Sequence, residues 1–477
     1  MYIPKTEPYP FQKRLFDDYS SKAVWAYFNE QGTGKAKAGI DDASQAYENK
    51  VIDALLIVAP DAVKTNWERI EIPKHMPDRI PRQVFVYYSK QAKNKQHQAA
   101  CKQAIAYREG LSIVCMSFSA FTTDAGKKFA KEFLSKRKAG FFLDESQNIR
   151  TPGAVRTKTI VAAGAYSEFK RCFSGTPMGK TGPLGMYSQI KFLDAMFWKR
   201  RGINDFALYK SFFADWVQTH GGWTKCLGYK NEHILQEWIK EISCRVLKAD
   251  VLPDLPPKLH TRLYFDLPEE HRRVYNQMRD ELRCDLLSGA EIEIDSALVS
   301  LRKLMQICCG YVKDTETDKL HPINDELPRI DAAVEWCEEH ETQSIIWCRQ
   351  RHDVDLLAER LGSKMARYDG KLSEHDRSLQ LEAWRRGDKQ HFVSNAKVGG
   401  AGLTLNEADR VLFHAVDVDL IELQQAQDRC HRPGQHHPVN YTYFIARDTC
   451  EEKIVNGLLD AKDVIQRILG GTISELL

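Results

Sequence analysis

Three groups of residues in this chain have the types and spacing that phosphate chemistry needs. The run Asn29-Glu30-Gln31-Gly32-Thr33-Gly34-Lys35-Ala36 follows an apolar stretch and precedes a helical pattern. Glycines in such a turn let backbone N–H groups approach phosphate oxygens, and Lys35 is placed to reach the outer ones. The turn ordinarily closes on a serine or threonine whose hydroxyl ligates magnesium, and here that position is Ala36. An ordinary glycine turn ahead of a helix explains the same letters equally well. The second group is Asp144-Glu145, which ends the apolar run Ala139-Gly140-Phe141-Phe142-Leu143. At the C-terminal edge of a buried strand, one carboxylate can hold magnesium while the other orients or deprotonates water. Each group supplies the context the other requires, which favours nucleotide binding over a solvated acidic strand end.

The third group is Arg429 and Arg432, within Gln424 to Gln435. Their spacing of three predicts a shared helix face from which both can aim at a γ-phosphate, against the alternative of a surface helix with scattered charge. Cys430, His431, His436 and His437 offer metal ligands, but no second cysteine pair stands at finger spacing, so a zinc site ranks well below the phosphate reading.

These groups need a scaffold that ends strands at one edge. Short apolar runs at Ala23–Phe28, Ala54–Ala59, Gln83–Tyr88, Leu111–Met116, Gly140–Leu143 and Arg171–Ser174 alternate with amphipathic stretches, which predicts a parallel α/β sheet. The rhythm resumes at Ser344–Cys348, His391–Ser394, Arg410–His414 and Val439–Ile445, with helical patterns at His352–Leu361 and Ser373–Arg385. Between the two series, Ala195 to Val312 reads as helix-like and aromatic, interrupted by the proline-rich Leu252–Pro257, where the lobe boundary is placed. The expectation is a first lobe over residues 1–257 with a helical protrusion at about 195–250, and a second over 258–477 with a protrusion at about 268–312.

With 477 residues, the chain is too long for one small binding module at a typical ~150 residues per domain. Its 43% apolar and 28% charged residues exclude a disordered or fibrous class. Lysine and arginine (68) against aspartate and glutamate (65) leave +3, so overall charge does not announce a polyanion partner. Locally, Lys127 to Lys138 holds six basic residues and one acidic, which suits either a duplex-lining face or a solvated helix. Twelve cysteines without framework spacing, no apolar leader and no membrane-length run place the expected protein in the cytoplasm, with free thiols.

In their order, the motifs resemble those of the Swi/Snf-type ATP-dependent DNA translocases of helicase superfamily two, from Pro10 to about Leu469. Tyr9-Pro10-Phe11-Gln12 looks like the adenine-sensing glutamine motif, followed by the phosphate loop, Ile57-Val58-Ala59-Pro60 with Trp67, and Asp144-Glu145-Ser146-Gln147. Ser174-Gly175-Thr176-Pro177 resembles the motif that couples hydrolysis to lobe movement, and Leu252 to Tyr275 the inter-lobe stretch. Ser344–Cys348, Tyr368-Asp369-Gly370 and Val398 to Leu405 then precede the arginine motif in family order.

The resemblance implies two tandem RecA-like lobes with helical protrusions, ATP and magnesium as cofactors, and double-stranded or branched DNA as partner. Catalysis falls to Lys35, Asp144 (with magnesium), Glu145, Arg429 and Arg432. Nucleotide contacts fall to Gln12, Gly32, Thr33, Gly34, Lys35, Ala36, Gly402 and Gln435, and coupling to Ser174, Gly175 and Thr176. DNA contacts fall to Pro60, Lys64, Ser117, Phe118, Arg349, Lys397, Gly399 and Gly400. The chain departs from the family in two places. Val418, Asp419 and Leu420 replace a usual tryptophan, asparagine and proline, and Ala36 predicts retained nucleotide affinity with lost turnover.

The expected function is a compact bacterial or viral DNA-dependent ATPase and duplex translocase, working as a monomer in replication, repair or branched-DNA remodelling without a membrane. The alternatives are a hydrolysis-deficient ATP- and DNA-binding clamp, and an RNA helicase or restriction motor subunit.

Overall fold

A computed structural model describes the chain except residues 1, 62, 219–223, 253, 282, 286–290, 294–296, 315, 316, 318, 341, 396–402, 417, 418 and 470–477. The chain divides into two compact units, one of residues 1–253 together with those from Asp463 on, and the other from Asp254 to Lys462. Each is built on a parallel sheet, the doubly covered α/β architecture of a RecA-like lobe.

In the first unit, helix α1 (Pro10–Tyr19) leads into β1 (Val24–Tyr27) and α2 (Lys35–Glu48). There follow β2 (Ala54–Ala59), β3 (Arg82–Val86), β4 (Leu111–Ser117), α3 (Asp124–Lys136), β5 (Ala139–Asp144), β6 (Lys170–Phe173) and α4 (Met186–Leu193). A two-residue strand, β7 (Ser243–Cys244), completes the order β3-β4-β2-β5-β6-β1-β7. All six residues of β2 are buried, because helices cover both faces of a central parallel strand. Ala59 pairs with Ser117, and Asp144 with Phe173, so β2, β4, β5 and β6 end along one edge. α2 is fastened to the sheet by a fully buried ion pair in which Arg171 Nε donates to Asp42 Oδ2 at 2.6 Å. Tyr27 OH donates to the same oxygen at 2.9 Å.

The second unit opens with β8 (Lys258–Phe265), α5 (Glu269–Glu281), α6 (Ala297–Ile307) and α7 (Pro328–Glu338). Then come β9 (Ser344–Cys348), α8 (Arg351–Leu361), β10 (Met365–Tyr368), β11 (His391–Asn395), β12 (Arg410–Phe413), α9 (Leu420–Gln427) and β13 (Val439–Ala446). The sheet order is β8-β13-β12-β9-β11-β10, again parallel throughout.

The stretch read as helix-like holds more than helices. Phe206–Phe213 and Glu232–Lys240 are helical, but between them Ala214–Gln218 pairs antiparallel with Thr224–Tyr229. Lys210 covers the Trp216 ring of this hairpin at 3.5 Å, a cation–π contact that helical periodicity does not report. All twelve cysteines are free thiols. Among the described residues no helix is long and apolar enough to cross a membrane. The basic run 127–138 is not a uniform surface face. Its Arg137 is buried, donating to Asp53 Oδ1 at 3.0 Å and to Tyr107 O at 2.6 Å.

Candidate nucleotide site and nucleic-acid edge

The turn from β1 into α2 has the backbone that its glycines allow. Gly32 and Gly34 are left-handed, with φ of 83° and 82°. A Cβ on Gly34 would stand 2.3 Å from Gln12 Nε2. Gln12 lies that close because its amide reads the loop, donating to Thr33 O at 3.0 Å while accepting from the Tyr9 N–H at 3.0 Å. Lys35 Nζ folds back over the turn to Asn29 O (2.9 Å) and Glu30 O (3.2 Å). Thr33 Oγ1 donates to Glu30 O at 2.7 Å. The N-terminal, positive dipole end of α2 therefore faces the turn, the usual seat of an anion. Ala36, where a hydroxyl would stand, packs part-buried against the apolar cluster beneath the helix.

Asp144 ends β5, and its Oδ2 accepts from Trp67 Nε1 at 2.9 Å. Burial first, and then the charge of Glu145, hold its carboxyl well above the ordinary carboxylate range. Glu145 takes the left-handed conformation at φ 54°, ψ 53°, a strained geometry for a side-chain-bearing residue. Gln147 Nε2 donates to Glu145 Oε2 at 2.7 Å, and Gln31 Nε2 lies 3.4 Å from Oε1. Ser174 Oγ donates to Gln147 Oε1 at 2.6 Å and accepts from the Thr176 N–H at 3.1 Å. A Cβ on Gly175 would be 2.7 Å from Gln31 Cγ and 3.6 Å from Lys35 Nζ. Three separate stretches of sequence thus meet: the phosphate loop, the acidic pair and the Ser174–Thr176 turn.

This donor set fits a hard divalent cation. The site holds two adjacent carboxylates whose mutual repulsion a cation relieves, with one protein ligand fewer because of Ala36. Asp144 would be its holder.

Among the residues read as DNA contacts, Pro60 and Ser117 follow or end adjacent strands on one edge. Pro60 O accepts from the Val63 and Lys64 N–H groups at 2.9 and 3.0 Å, and Ser117 Oγ lies 2.8 Å from Ser119 Oγ. Lys64 is buried, 2.7 Å from Asp61 and 4.5 Å over the Tyr88 ring, and Phe118 is buried too. In the second unit Arg349 follows β9, and its carbonyl accepts from Asn395 Nδ2 at 2.5 Å. Lys397, Gly399, Gly400 and Gly402 lie outside the described residues, as does Val418.

The arginine motif corrects one expectation. α9 stops at Gln427, so Arg429 and Arg432 sit in the turns beyond it and do not share a helix face. Pro433 disfavours helix at residue 432, and Gly434 is left-handed at φ 95°. Arg429 Nη1 donates to Leu403 O at 3.4 Å; Arg432 donates to Asp428 O at 2.6 Å and Thr404 Oγ1 at 3.1 Å. Lys258 holds the turn from β8 through a 2.8 Å ion pair with Asp428, and Tyr441 OH donates to Gln427 O at 2.6 Å. Gln435 spends its amide inside this unit, donating to Ala408 O at 2.9 Å and accepting from the His436 and His437 N–H groups. Among the described residues no group of three or more histidine, cysteine, aspartate or glutamate side chains is arranged to hold a metal ion, so the Cys430–His437 stretch forms no zinc site of that kind.

The SNF2-related domain model matches residues 21–311, and the helicase conserved C-terminal domain model matches residues 323–434. The chain belongs to the SNF2-related family. It joins a SNF2-related domain to a helicase conserved C-terminal domain. Similar curated proteins include the DNA annealing helicase and endonuclease ZRANB3 of Bos taurus, 25% identical over 454 residues, which span 94% of this chain and 38% of that protein. An uncharacterized ATP-dependent helicase of Mycoplasma genitalium is 23% identical over 455 residues, 92% of this chain and 40% of that one. The chain thus spans about two fifths of the length of these relatives. The Sulfolobus solfataricus SWI2/SNF2 ATPase core in complex with dsDNA is 20% identical at a TM-score of 0.44, covering 100% of this chain and 96% of that one.

Gln31 and Lys258 went unmarked in the sequence. Gln31 lies inside the loop but its type carries no phosphate signal, and Lys258 acts on a partner 170 residues away.

Proposed function

We propose that the chain binds ATP and magnesium at the head of α2, hydrolyses it in response to duplex DNA, and moves along that duplex. The observation that carries this reading is the continuous hydrogen-bonded path Glu145–Gln147–Ser174, closed by Gly175 against Gln31 and Lys35. It gives a water-orienting carboxylate a direct mechanical link to a second loop.

In this reading the α2 amides and Lys35 hold the β and γ phosphates, with Lys35 exchanging its loop carbonyls for phosphate oxygens. Gln12 holds the loop at Thr33. Glu145, fixed by Gln147, accepts a proton from the attacking water. Arg429 and Arg432 of the second unit neutralise charge on the transferred phosphoryl group. Asp144 would hold magnesium, which would supply charge stabilisation for the phosphates. Pro60, Lys64, Ser117, Phe118 and Arg349, with Lys397, Gly399 and Gly400, are proposed to grip the sugar–phosphate backbone without base readout, Lys64 leaving Asp61 to do so. Remodelling of branched DNA is a setting that the similarity to a DNA annealing helicase supports, and replication, repair and a cytoplasmic location are proposed with it.

Ala36 favours a second reading, a clamp that binds ATP and DNA with little turnover. Comparing duplex DNA, single-stranded DNA and RNA as stimulators of ATP hydrolysis tests the proposal. Duplex is expected to be the strongest stimulator, with an effect that fades steeply as salt rises. Preference for RNA would instead indicate an RNA motor, and nucleotide binding with no stimulated turnover would indicate the clamp.

A further inference from the structure

After its hairpin and helices, the first unit returns to its own sheet at β7, and that return reaches into the phosphate loop. The N–H groups of Ala26, Phe28 and Glu30 donate in turn to the carbonyls of Ile242, Cys244 and Val246, at 3.0, 3.0 and 2.9 Å. This alternate-residue ladder continues past the end of β1 at Tyr27, so residues 28–30 are held as an extension of the strand. Glu30 Oε2 accepts from the N–H of buried Lys248 at 2.9 Å, adding a side-chain fastening two residues beyond the last rung.

Arg245 stands in the middle of this segment. Its Nη1 donates to Phe28 O at 2.6 Å and to Gly175 O at 3.1 Å. Phe28 is the last residue before the phosphate loop, and Gly175 is the centre of the turn that receives the Glu145–Gln147–Ser174 path. The guanidinium therefore joins two loops that are about 150 residues apart in sequence. A planar fork suits this task, because it can serve two carbonyls from one fixed position, whereas a lysine ammonium on a flexible stem has no such fixed geometry.

We propose that Arg245 is a positioning residue that ties the Ser174–Thr176 turn to the mouth of the phosphate loop, so that occupancy of the loop by nucleotide is felt at the turn. The inference rests on the nucleotide-binding reading above and adds to it a second, backbone-directed link, independent of the Gln147 side chain.

Full-length native, Arg245→Met and Arg245→Lys chains, checked by thermal unfolding, are compared by fluorescent-ATP titration and by amide hydrogen exchange of peptides covering residues 29–36 and 172–178. In the native chain ATP should slow exchange in both peptides. In Arg245→Met, affinity should fall by no more than about threefold, the scale of one hydrogen bond. Protection of the loop peptide should persist while that of the turn peptide is lost, and Arg245→Lys should fall between the two. Full ATP-induced protection of the turn in Arg245→Met overturns the proposal. If the methionine variant is unfolded, the lysine variant carries the same comparison, and undiminished turn protection in it overturns the proposal equally. A native chain that binds ATP without protecting residues 172–178 defeats this inference alone. One that binds no ATP defeats the nucleotide reading beneath it.

Discussion

The two units hold their charged groups in different ways. In the first, functional side chains bond to one another: Gln147 to Glu145, Ser174 to Gln147, Gln31 toward Glu145. In the second, Arg429 and Arg432 bond largely to main-chain carbonyls, and the turn that carries them is held by Lys258 on Asp428 and Tyr441 on Gln427. A network of side chains fixes mutual geometry, so disturbing one member is felt by the next. Arginines resting on carbonyls are positioned by where the backbone runs, and their own contacts are ones a phosphate can replace. The first unit thus holds its charged groups in a side-chain network, and the second on a backbone-held turn.

The largest expected effect lies beneath the networked site. Asp42→Ala strands the Arg171 guanidinium in the core, and breaking a buried pair of this kind costs about 3–5 kcal/mol. Thermal unfolding of the first unit should drop by roughly 10 °C, since each kcal/mol is worth about 2–4 °C at this size. A change under 2 °C would mean that α2 is held by its apolar face alone.

Lys258→Met should act next most strongly, and on the second unit. It leaves Asp428 largely buried without its cation and loosens the turn that carries both arginines. A fall of about tenfold in kcat for ATP, roughly 1.4 kcal/mol, is expected with KM nearly unchanged. A rise in KM at constant kcat would contradict a positioning role. Lys258→Arg should recover much of the rate.

The smallest effect tests the comparison itself. In a double-mutant cycle on ATP turnover, Gln147→Ala and Ser174→Ala should couple by about 1 kcal/mol, because they share a bond. Ser174→Ala and Tyr441→Phe, in separate units with no shared partner, should add within about 0.5 kcal/mol. Equal coupling in both pairs would erase the distinction between a networked and a backbone-held half.

Much of this arrangement was legible in the sequence where burial leaves a continuous mark. Ala54–Ala59 and Leu111–Ser117 are covered on both faces, so an unbroken apolar run was enough to locate them. Met365–Tyr368 escaped notice because it is a four-residue edge strand with Arg367 and Tyr368 only half-buried. Ser243–Cys244 is too short for any period to show, yet it carries the ladder to the phosphate loop. The loop itself was readable from its glycines, since the left-handed backbone and the closeness of Gln12 both demand them. The setting of Arg429 and Arg432 is not legible from spacing, because three apart fits a helix while the helix stops at Gln427, before either of them. Arg245 and Lys258 could not be found locally, because each acts on partners brought near only by the sheet.

The first unit is proposed to carry a phosphate site that lacks one hydroxyl, at residue 36. Steady-state ATP hydrolysis over a duplex-DNA titration, comparing the native chain with Ala36→Thr, tests it most directly. The native chain should bind ATP but turn it over slowly, and Ala36→Thr should raise the duplex-stimulated rate at least about tenfold, or roughly 1.4 kcal/mol of transition-state stabilisation. Two chains that both fail to hydrolyse ATP with any nucleic acid would contradict it.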